Sequence, residues 1–360
     1  MKRFFSVCLS LVSVGCVFAF SDVVFSTSAR ASSEKAAEAS EKLPDALPVE
    51  GKATDLPAHL VSVPTTGDYY LPYIFVVDKS ARSLEIWKSE IGPDSKRRFT
   101  RFAAYPADLG RSTGAKVSEG DHKTPEGIYF LQTRLEGSTL DFKLYGSRAY
   151  TTDYPNHFDV LDGKSGSGIW LHAVPDNVAL TRGSRGCVVV RNDIVKTLDP
   201  YIKLGRTPIV ISEKIQKRSI VEMESSQAKL EKWLENWRNT WETKSLDEYM
   251  KFYDEDFKAM KMNKTQWREY KAKLGKLYTS INVKISQPLA LEQQGRAVVR
   301  FVQSYTSNQI ADLGEKTLHL INRNGEWKIL SETWRADTSA SARAAVTPTP
   351  PAAPTKTAGF

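Results

Sequence analysis

The chain has 360 residues, of which 41% are hydrophobic and 26% are charged. This composition is typical of a globular protein, and the length suffices for two domains of ordinary size plus tails. The net charge of +8 forms no dense basic run, so the sequence does not favour nucleic-acid binding. A mildly basic surface suits an acidic polymer, a membrane surface or a cell wall, and it also serves solubility.

Residues 1–31 are predicted to be a secretory signal. Lys2 and Arg3 precede an apolar stretch over residues 4–20, which is shorter than the roughly 20 residues that span a membrane. Residues 29–31 read Ala-Arg-Ala, a small-x-small cleavage site. We therefore expect an exported protein, located in the periplasm or cell wall. The membrane would be a partner only if this segment stays uncleaved and anchors the chain.

Cleavage would change the cysteine content of the protein. Cys8 and Cys16 would leave with the signal, and Cys187 would remain as the only thiol. Disulfides are the usual role of cysteine outside the cytoplasm, and a lone cysteine cannot form one within its own chain. Cys187 is therefore either an inert buried residue or a reactive nucleophile.

The next two segments are predicted to be a linker and a mainly β domain. Residues 32–66 are rich in Ala, Glu, Ser and Pro, which predicts a linker or N-terminal segment with a short helix at 33–41. Residues 67–214 predict a domain with many strands and few helices. Its strands are predicted at 73–78, 84–87, 100–105, 127–132, 168–172, 186–190 and 208–211, and a helix is predicted at 193–204.

Residues 220–335 predict a second domain in which helices precede a curved antiparallel sheet, an α+β cone. Large apolar residues recur there at helical spacing, at Leu230, Trp233, Leu234, Trp237 and Trp241. These tryptophans are expected in the core or lining a cavity. Further helices are predicted at 246–257 and 264–274, and strands at 281–285, 296–305, 318–321 and 327–330, with Asn324-Gly325 as a hairpin turn. Residues 336–360 are mostly Ala, Thr and Pro with few large apolar side chains, and they are predicted to be a disordered tail.

The residues with the clearest chemistry are His172 and Cys187. His172 ends one predicted strand and Cys187 begins another, so neighbouring strands would bring both side chains to one end of a sheet. An imidazole can take the proton of a thiol or pair with the thiolate and lower the thiol pKa. Gly186 permits a sharp turn, its N–H and that of Cys187 would line an oxyanion site, and Ser184 would hydrogen-bond within the turn. The structural alternative makes Cys187 a small buried hydrophobe and His172 a core histidine.

A second cluster, Gly120-Asp121-His122-Lys123-Thr124-Pro125-Glu126-Gly127, predicts a turn-rich loop that leads into a strand. A metallopeptidase reading would use His122, His157 and His172. No His-x-x-x-His or Cys-x-x-Cys spacing supports a metal site, and we expect neither a metal nor a cofactor.

Together these residues resemble the YkuD-type L,D-transpeptidase catalytic domain. That family has Gly-Asp-x-x-Thr-Pro-x-Gly-x-Tyr upstream of a histidine and Ser/Thr-x-Gly-Cys, and here the motifs fall at Gly120–Tyr129, His172 and Ser184–Cys187. The resemblance covers roughly residues 70–213. It implies a mainly β fold, a peptidoglycan stem-peptide substrate and a cysteine acyl-enzyme, with Cys187 as nucleophile and His172 as base.

The resemblance also has departures and extensions. Arg185 stands where many members have His, and Ala173 where many have Gly. Residues 154–156 resemble a branch that contains L,D-carboxypeptidases of cell-shape control. Residues 220–335 are similar to nuclear transport factor 2-like (SnoaL-like) cones, which that branch carries after the catalytic domain. The residues expected to bind substrate are Arg185, Thr124, Tyr154 and Asn156, of which Arg185 suits a substrate carboxylate.

The sequence therefore predicts an exported cysteine enzyme that acts on tetrapeptide stems of peptidoglycan. Transfer of the acyl group to an amine would make it a transpeptidase that forms 3→3 cross-links. Transfer to water would make it an L,D-carboxypeptidase that trims tetrapeptides to tripeptides. A cell-wall-binding scaffold is the non-enzymatic alternative. The cone is expected to shape or block the acceptor groove, or to bind a wall-associated protein.

Overall fold

The computed structural model describes residues 55–337, except Asp68 and Arg182. The predicted signal, the helix at 33–41 and all but the first residues of the predicted tail lie outside this range. No helix in the described range is both long enough and apolar enough to cross a membrane.

The described chain alternates short strands and a few helices, and then ends in four long strands. The strands are β1 (Leu56–Pro57), β2 (Leu60–Ser62), β3 (Tyr73–Asp78), β4 (Ser83–Ile91), β5 (Arg97–Pro106), β6 (Gly127–Glu136), β7 (Arg148–Thr152), β8 (Trp170–Ala173), β9 (Val188–Val190), β10 (Pro208–Ser212), β11 (Lys217–Arg218), β12 (Lys258–Ala259), β13 (Met262–Asn263), β14 (Ile281–Gln293), β15 (Arg296–Ser307), β16 (Ala311–Arg323) and β17 (Glu326–Ala336). The helices are α1 (Phe142–Tyr145), α2 (His157–Leu161), α3 (Asn192–Thr197), α4 (Ile220–Glu242), α5 (Leu246–Lys251) and α6 (Lys264–Leu277).

The first domain is built on one curled sheet with the strand order β5-β4-β3-β10-β6-β7-β8-β9. At its end, β8 runs parallel to β9 and antiparallel to β7. The sequence analysis missed β7, because Arg148–Thr152 shows no clear alternation of apolar and polar residues. This strand nevertheless fixes the position of β8, with Ala149 opposite His172.

The second domain is the predicted cone, with helices packed on one face of a five-stranded antiparallel sheet of order β17-β16-β15-β14-β2. Helix α4 begins with a capping box in which Ser219 and Glu222 satisfy each other's backbone N–H groups. Asn324 and Gly325 have positive φ angles, as expected for the hairpin turn between β16 and β17. The fold class predicted from the sequence, a mainly β domain followed by an α+β cone, is confirmed.

Three predicted elements end differently in the structure. The helix predicted at 193–204 ends at Thr197, because Pro200 lacks an N–H and a short 3-10 turn follows at Asp199–Tyr201. The helix predicted at 246–257 ends at Lys251, because the chain leaves it to hydrogen-bond with Ile329 of β17. The end of the predicted linker is ordered, since β1 pairs with β11 and β2 forms an edge of the cone sheet.

The two domains share a hydrophobic core. Within the unit Leu43–Phe360, β3 is buried on both faces: Phe75 and Val77 point into the core of the first domain, whereas Ile74 and Val76 point toward Leu291 of the cone. The uninterrupted apolar run of β3 follows from this arrangement, because both faces of the strand are covered.

Polar contacts reinforce the same interface. The guanidinium of Arg296 forms a bidentate ion pair with Asp162, with both N···O distances at 2.7 Å. Arg300 donates to the Gly205 carbonyl at 2.7 Å and stacks 3.2 Å from the ring centre of Phe130. Bidentate and stacked arginines are the geometry that lysine cannot reproduce, so these contacts also orient the cone on the first domain.

Candidate active site

His172 and Cys187 lie in one cleft of about 600 Å³ at the β8–β9 end of the first sheet. Because β8 and β9 are parallel neighbours with Leu171 opposite Val188 and His172 opposite Val189, Cys187, which directly precedes β9, lies beside the first half of β8. Ser184 and Arg185 also line this cleft. The structure thus brings together the two residues that the sequence placed at strand ends.

A tight turn presents Cys187. Gly186 has a φ angle of +126°, and a Cβ added there would lie 2.7 Å from the Lys123 carbonyl oxygen. Both the backbone conformation and the lack of space therefore require glycine at this position. The Ser184 hydroxyl donates to the Cys187 carbonyl at 2.8 Å and accepts the Gly186 N–H at 3.1 Å. The Gly186 N–H is thus directed at Ser184 in this structure, and its oxyanion role stays a prediction. The Cys187 N–H is the donor that remains from the predicted pair.

His172 is held in one tautomer. Its Nδ1 is 2.6 Å from the Ala173 carbonyl oxygen, and since a carbonyl can only accept, Nδ1 carries the hydrogen and Nε2 is the free acceptor. The ring edge packs against Tyr145, with the ring centres 5.1 Å apart. Burial lowers the pKa of His172 to about 4, which the Ala173 hydrogen bond only partly offsets. The replacement of glycine by Ala173 is harmless here, because the contact uses a backbone carbonyl.

Cys187 is 9% exposed, and its thiol donates to the Gly168 carbonyl at 3.4 Å. Burial raises the pKa of this thiol to about 11, while the backbone N–H of Trp170 and the Lys116 ammonium act in the opposite direction. At neutral pH both His172 and Cys187 are therefore uncharged. Of the two roles that the sequence allows for His172, burial favours taking the thiol proton over pairing with a thiolate, because it disfavours both charged forms.

The other predicted substrate residues are divided between the cleft and the scaffold. Arg185 is exposed and lines the cleft. Thr124 is buried and accepts the Gly110 N–H at 2.9 Å. Tyr154 donates to the Ser165 carbonyl at 2.9 Å, and Asn156 caps α2 by accepting the Asp159 N–H. Thr124, Tyr154 and Asn156 therefore shape the loops around the cleft and are not among the described residues that line it, and their role in substrate binding stays a prediction.

The histidines of the metallopeptidase hypothesis do not converge. His122 and His172 line the cleft, but the ring of His157 packs outside it against His319 of the cone, with the ring centres 4.6 Å apart. Within residues 55–337, apart from the two positions not described, no three His, Cys, Asp or Glu side chains are arranged to hold a metal ion. The arrangement gives the metal hypothesis no support.

The cone does not contribute to the cleft that holds Cys187. All the described residues that line this cleft lie between Asp108 and Val189. The described lining of this cleft therefore gives no support to a cone that shapes or blocks the groove, which stays a prediction. Of the cone tryptophans, Trp237 is fully buried, and Trp241 lines a separate cavity of about 290 Å³ together with Lys271.

Comparison with known proteins agrees with this architecture. The sequence profile described as the L,D-transpeptidase catalytic domain, YkuD, matches residues 72–211, and the Cds6 C-terminal NTF2-like domain matches residues 229–333. The solved structure of Bdellovibrio bacteriovorus Bd1075 is 42% identical in sequence, with 79% of this chain and 99% of that chain covered and a TM-score of 0.70. The chain belongs to the YkuD L,D-transpeptidase family.

A second solved structure similar to this YkuD protein is that of a cell shape determining protein. The helical cell shape determining protein Pgp2 from Campylobacter jejuni is 25% identical, with 77% of this chain and 96% of that chain covered and a TM-score of 0.58. A search of curated protein sequences finds no match. The two family matches give the domain order of this chain: a YkuD domain followed by an NTF2-like cone.

Sequence reasoning missed several groups at the YkuD site. The Gly168 carbonyl and Trp170 N–H that face Cys187 are backbone groups, so the identity of these residues does not predict the contacts. Lys116 lines the cleft, and its position just before the Gly120-Asp121 motif is the sequence feature that could have indicated this. That motif turns out to hold the lysine, since the Asp121 carboxylate contacts the Lys116 ammonium at 2.8 Å.

Proposed function

We propose that this chain is an exported, cysteine-dependent enzyme that cleaves the L-centre–D-Ala bond of peptidoglycan tetrapeptide stems through an acyl-enzyme at Cys187. The supporting observation is the cleft of a YkuD domain in which the Cys187 thiol and a His172 ring with Nε2 free as acceptor lie together. Residues 67–214 would carry this reaction and residues 220–335 would form the accessory cone.

The first half of the reaction needs one proton transfer in each direction. The thiol gives its proton to Nε2 of His172 as sulfur forms a bond to the carbonyl carbon. The bond from that carbon to the D-Ala nitrogen then breaks, and His172 returns the proton to the leaving amine. The Cys187 N–H would face the developing oxyanion, the role that such donors fill in acyl transfer. A resting neutral pair suits this sequence, because the base begins unprotonated.

The second half depends on the acceptor. A cleft of about 600 Å³ has the size of a site for one small ligand, and its described walls come from the YkuD domain alone. These features favour water, which needs no second binding groove, and hence an L,D-carboxypeptidase that leaves a tripeptide. Membership of the L,D-transpeptidase family supports the alternative, transfer to a stem amine with formation of a 3→3 cross-link.

The cellular role is proposed from the same relatives. The similarity to Pgp2, a helical cell shape determining protein, supports a role in cell shape, and a peptidoglycan substrate requires export to the periplasm or cell wall. A wall-associated partner of the cone and the use of the signal as an anchor are predictions on which nothing in the described residues bears.

The proposal is tested by incubating the full chain with purified disaccharide tetrapeptide and weighing the products. Tripeptide monomers are expected. Dimers that have lost one D-Ala would establish the transpeptidase instead, and incorporation of an added D-amino acid would show that small amines reach the acyl-enzyme. Cys187→Ala should remain folded and inactive, and Ser226→Ala in α4, outside the cleft, should keep full activity.

Two outcomes of the same assay would contradict the proposed enzymatic function. Full turnover by Cys187→Ala would refute the cysteine mechanism. A folded wild-type chain with reduced Cys187 and no turnover in any format, together with retained binding to peptidoglycan sacculi, would favour the cell-wall-binding scaffold.

A further inference from the structure

Lys116 is an ammonium group held inside the cleft. Its side chain is only 3% exposed, yet it lines the same cleft as Cys187 and His172. The ammonium contacts the Asp121 carboxylate at 2.8 Å and donates to the Ser118 carbonyl at 3.0 Å. Because lysine is rarely buried to this extent, the local structure must hold it there.

The loop around Lys116 is built to hold it. The Asp121 carboxylate also accepts the backbone N–H groups of Val117, Ser118 and Lys123. These bonds and the ammonium keep the pKa of Asp121 well below its usual range, although burial opposes them. The carboxylate is therefore fixed as an anion, and its contact with the ammonium holds the Lys116 side chain in place. Lys116 is positioned by backbone groups that would persist without its charge.

Among the described residues that line this cleft, no lysine or arginine besides Lys116 is buried. His172 is neutral at physiological pH because burial lowers its pKa to about 4. Among the other titratable groups that line the described cleft, Arg185 and Glu119 are exposed to solvent, which screens them. The remaining ones are Asp108, which pairs with Arg82 at 3.1 Å, and His122 and Tyr145.

We propose that Lys116 is a positioning residue that stabilises the anionic sulfur of Cys187, so that the thiolate forms within a buried cleft when the proton leaves for His172. This rests on the proposed function in that Cys187 is the nucleophile. Burial raises the pKa of the Cys187 thiol, the Trp170 N–H and the Lys116 ammonium act in the opposite direction, and no carboxylate is among the groups that raise it. Both side chains line the same cleft, and a shift of one unit in the pKa of the thiol is enough to change the thiolate population about tenfold.

The test measures the alkylation of Cys187 by iodoacetamide in the absence of substrate, with the full chain and peptide mass mapping to count modification at this residue alone. Lys116→Met keeps the length of the side chain and removes its charge. We expect the alkylation rate at pH 8 to fall roughly tenfold, and the apparent pKa of the thiol to rise by about one unit. Lys116→Arg should restore the wild-type rate to within about threefold. Lys123→Met, the same change in the same loop with a side chain outside the cleft, should have no effect.

A second variant separates charge from folding. In Lys116→Met the Asp121 carboxylate loses its ion pair, so the double variant with Asp121→Asn removes both charges and keeps the loop neutral. It should show the same slow alkylation as Lys116→Met. An unchanged pH profile in either variant with a wild-type melting temperature would overturn the proposal. Since alkylation needs no turnover, this failure is distinct from failure of the proposed function, which full activity of Cys187→Ala would reveal.

Discussion

Leu318 offers a direct test of whether the cone and the YkuD domain fold as one unit. Its side chain is fully buried on the helix-facing side of the cone sheet, in a core made of cone residues and Val61 of β2. It has no place in the core that the two domains share. Truncation to alanine leaves a cavity and typically costs about 2–5 kcal/mol of unfolding free energy. The perturbation therefore begins entirely on the cone side.

The expected shift follows from the size of the cooperative unit. For a urea dependence of roughly 3 kcal/mol per molar, a loss of about 2–5 kcal/mol lowers the midpoint by about 1 M. If the shared core and the arginine contacts join the domains, this shift must also reach the YkuD domain, because the two then unfold in one transition. The reason is that an unfolded cone would expose the apolar face of the first sheet, including Ile74 and Val76.

Two reporters distinguish the domains in one urea titration. Most of the eight tryptophans lie in the cone, so fluorescence follows the cone. Brief pulses of a thiol reagent, with mapping at the buried Cys187, follow the YkuD domain. Leu277→Ala is the matched control, since Leu277 is 51% exposed and its truncation should cost under about 0.5 kcal/mol. A thiol curve that stays at the wild-type midpoint while the fluorescence curve shifts would show independent folding and refute the coupling.

Three further predictions concern the cleft. Alkylation of Cys187 should be slow at neutral pH and accelerate as pH rises toward the thiol pKa of about 11. His172→Ala should leave the alkylation rate at pH 7 within about threefold of wild type while abolishing turnover. A tenfold slower alkylation in this variant would instead support a resting thiolate–imidazolium pair. His172 has a folded pKa of about 4 against 6.5 when exposed, so its stabilising contribution is complete above pH 6.5 and lost as pH falls; urea titrations should show that wild type loses about 2 kcal/mol more than His172→Ala between pH 7 and 5, and equal losses would contradict the assignment. Arg185→Ala should raise KM for the tetrapeptide more than it lowers kcat, whereas unchanged kinetics would leave Arg185 without a substrate contact.

The sequence was informative wherever local pattern and chemistry coincide. The Asn324-Gly325 turn needs positive φ angles, and few residue pairs supply them as easily. The apolar run of β3 likewise predicted a buried strand. What covers its second face could not be predicted, because the partner residues of the cone lie more than 200 positions away in the chain. For the same reason the residues around β1 and β2 were predicted as linker: their prolines were visible, but the edge of the cone sheet that β2 completes was not.

Within the cleft, the sequence identified the residues but not their charge states. The sequence predicted that His172 and Cys187 lie close together, and the parallel pairing of β8 with β9 places both in one cleft. Protonation, however, depends on burial, and burial is a property of the whole fold. Because desolvation acts against imidazolium and thiolate alike, the resting pair is neutral, and the negative charge of the reaction arises only when the thiol proton moves. A site of this kind stabilises the anion by groups already in place: the Trp170 N–H and the Lys116 ammonium. Part of the proposed stabilisation of the Cys187 anion therefore comes from a loop more than sixty residues upstream, which the spacing of His172 and Cys187 alone could not reveal.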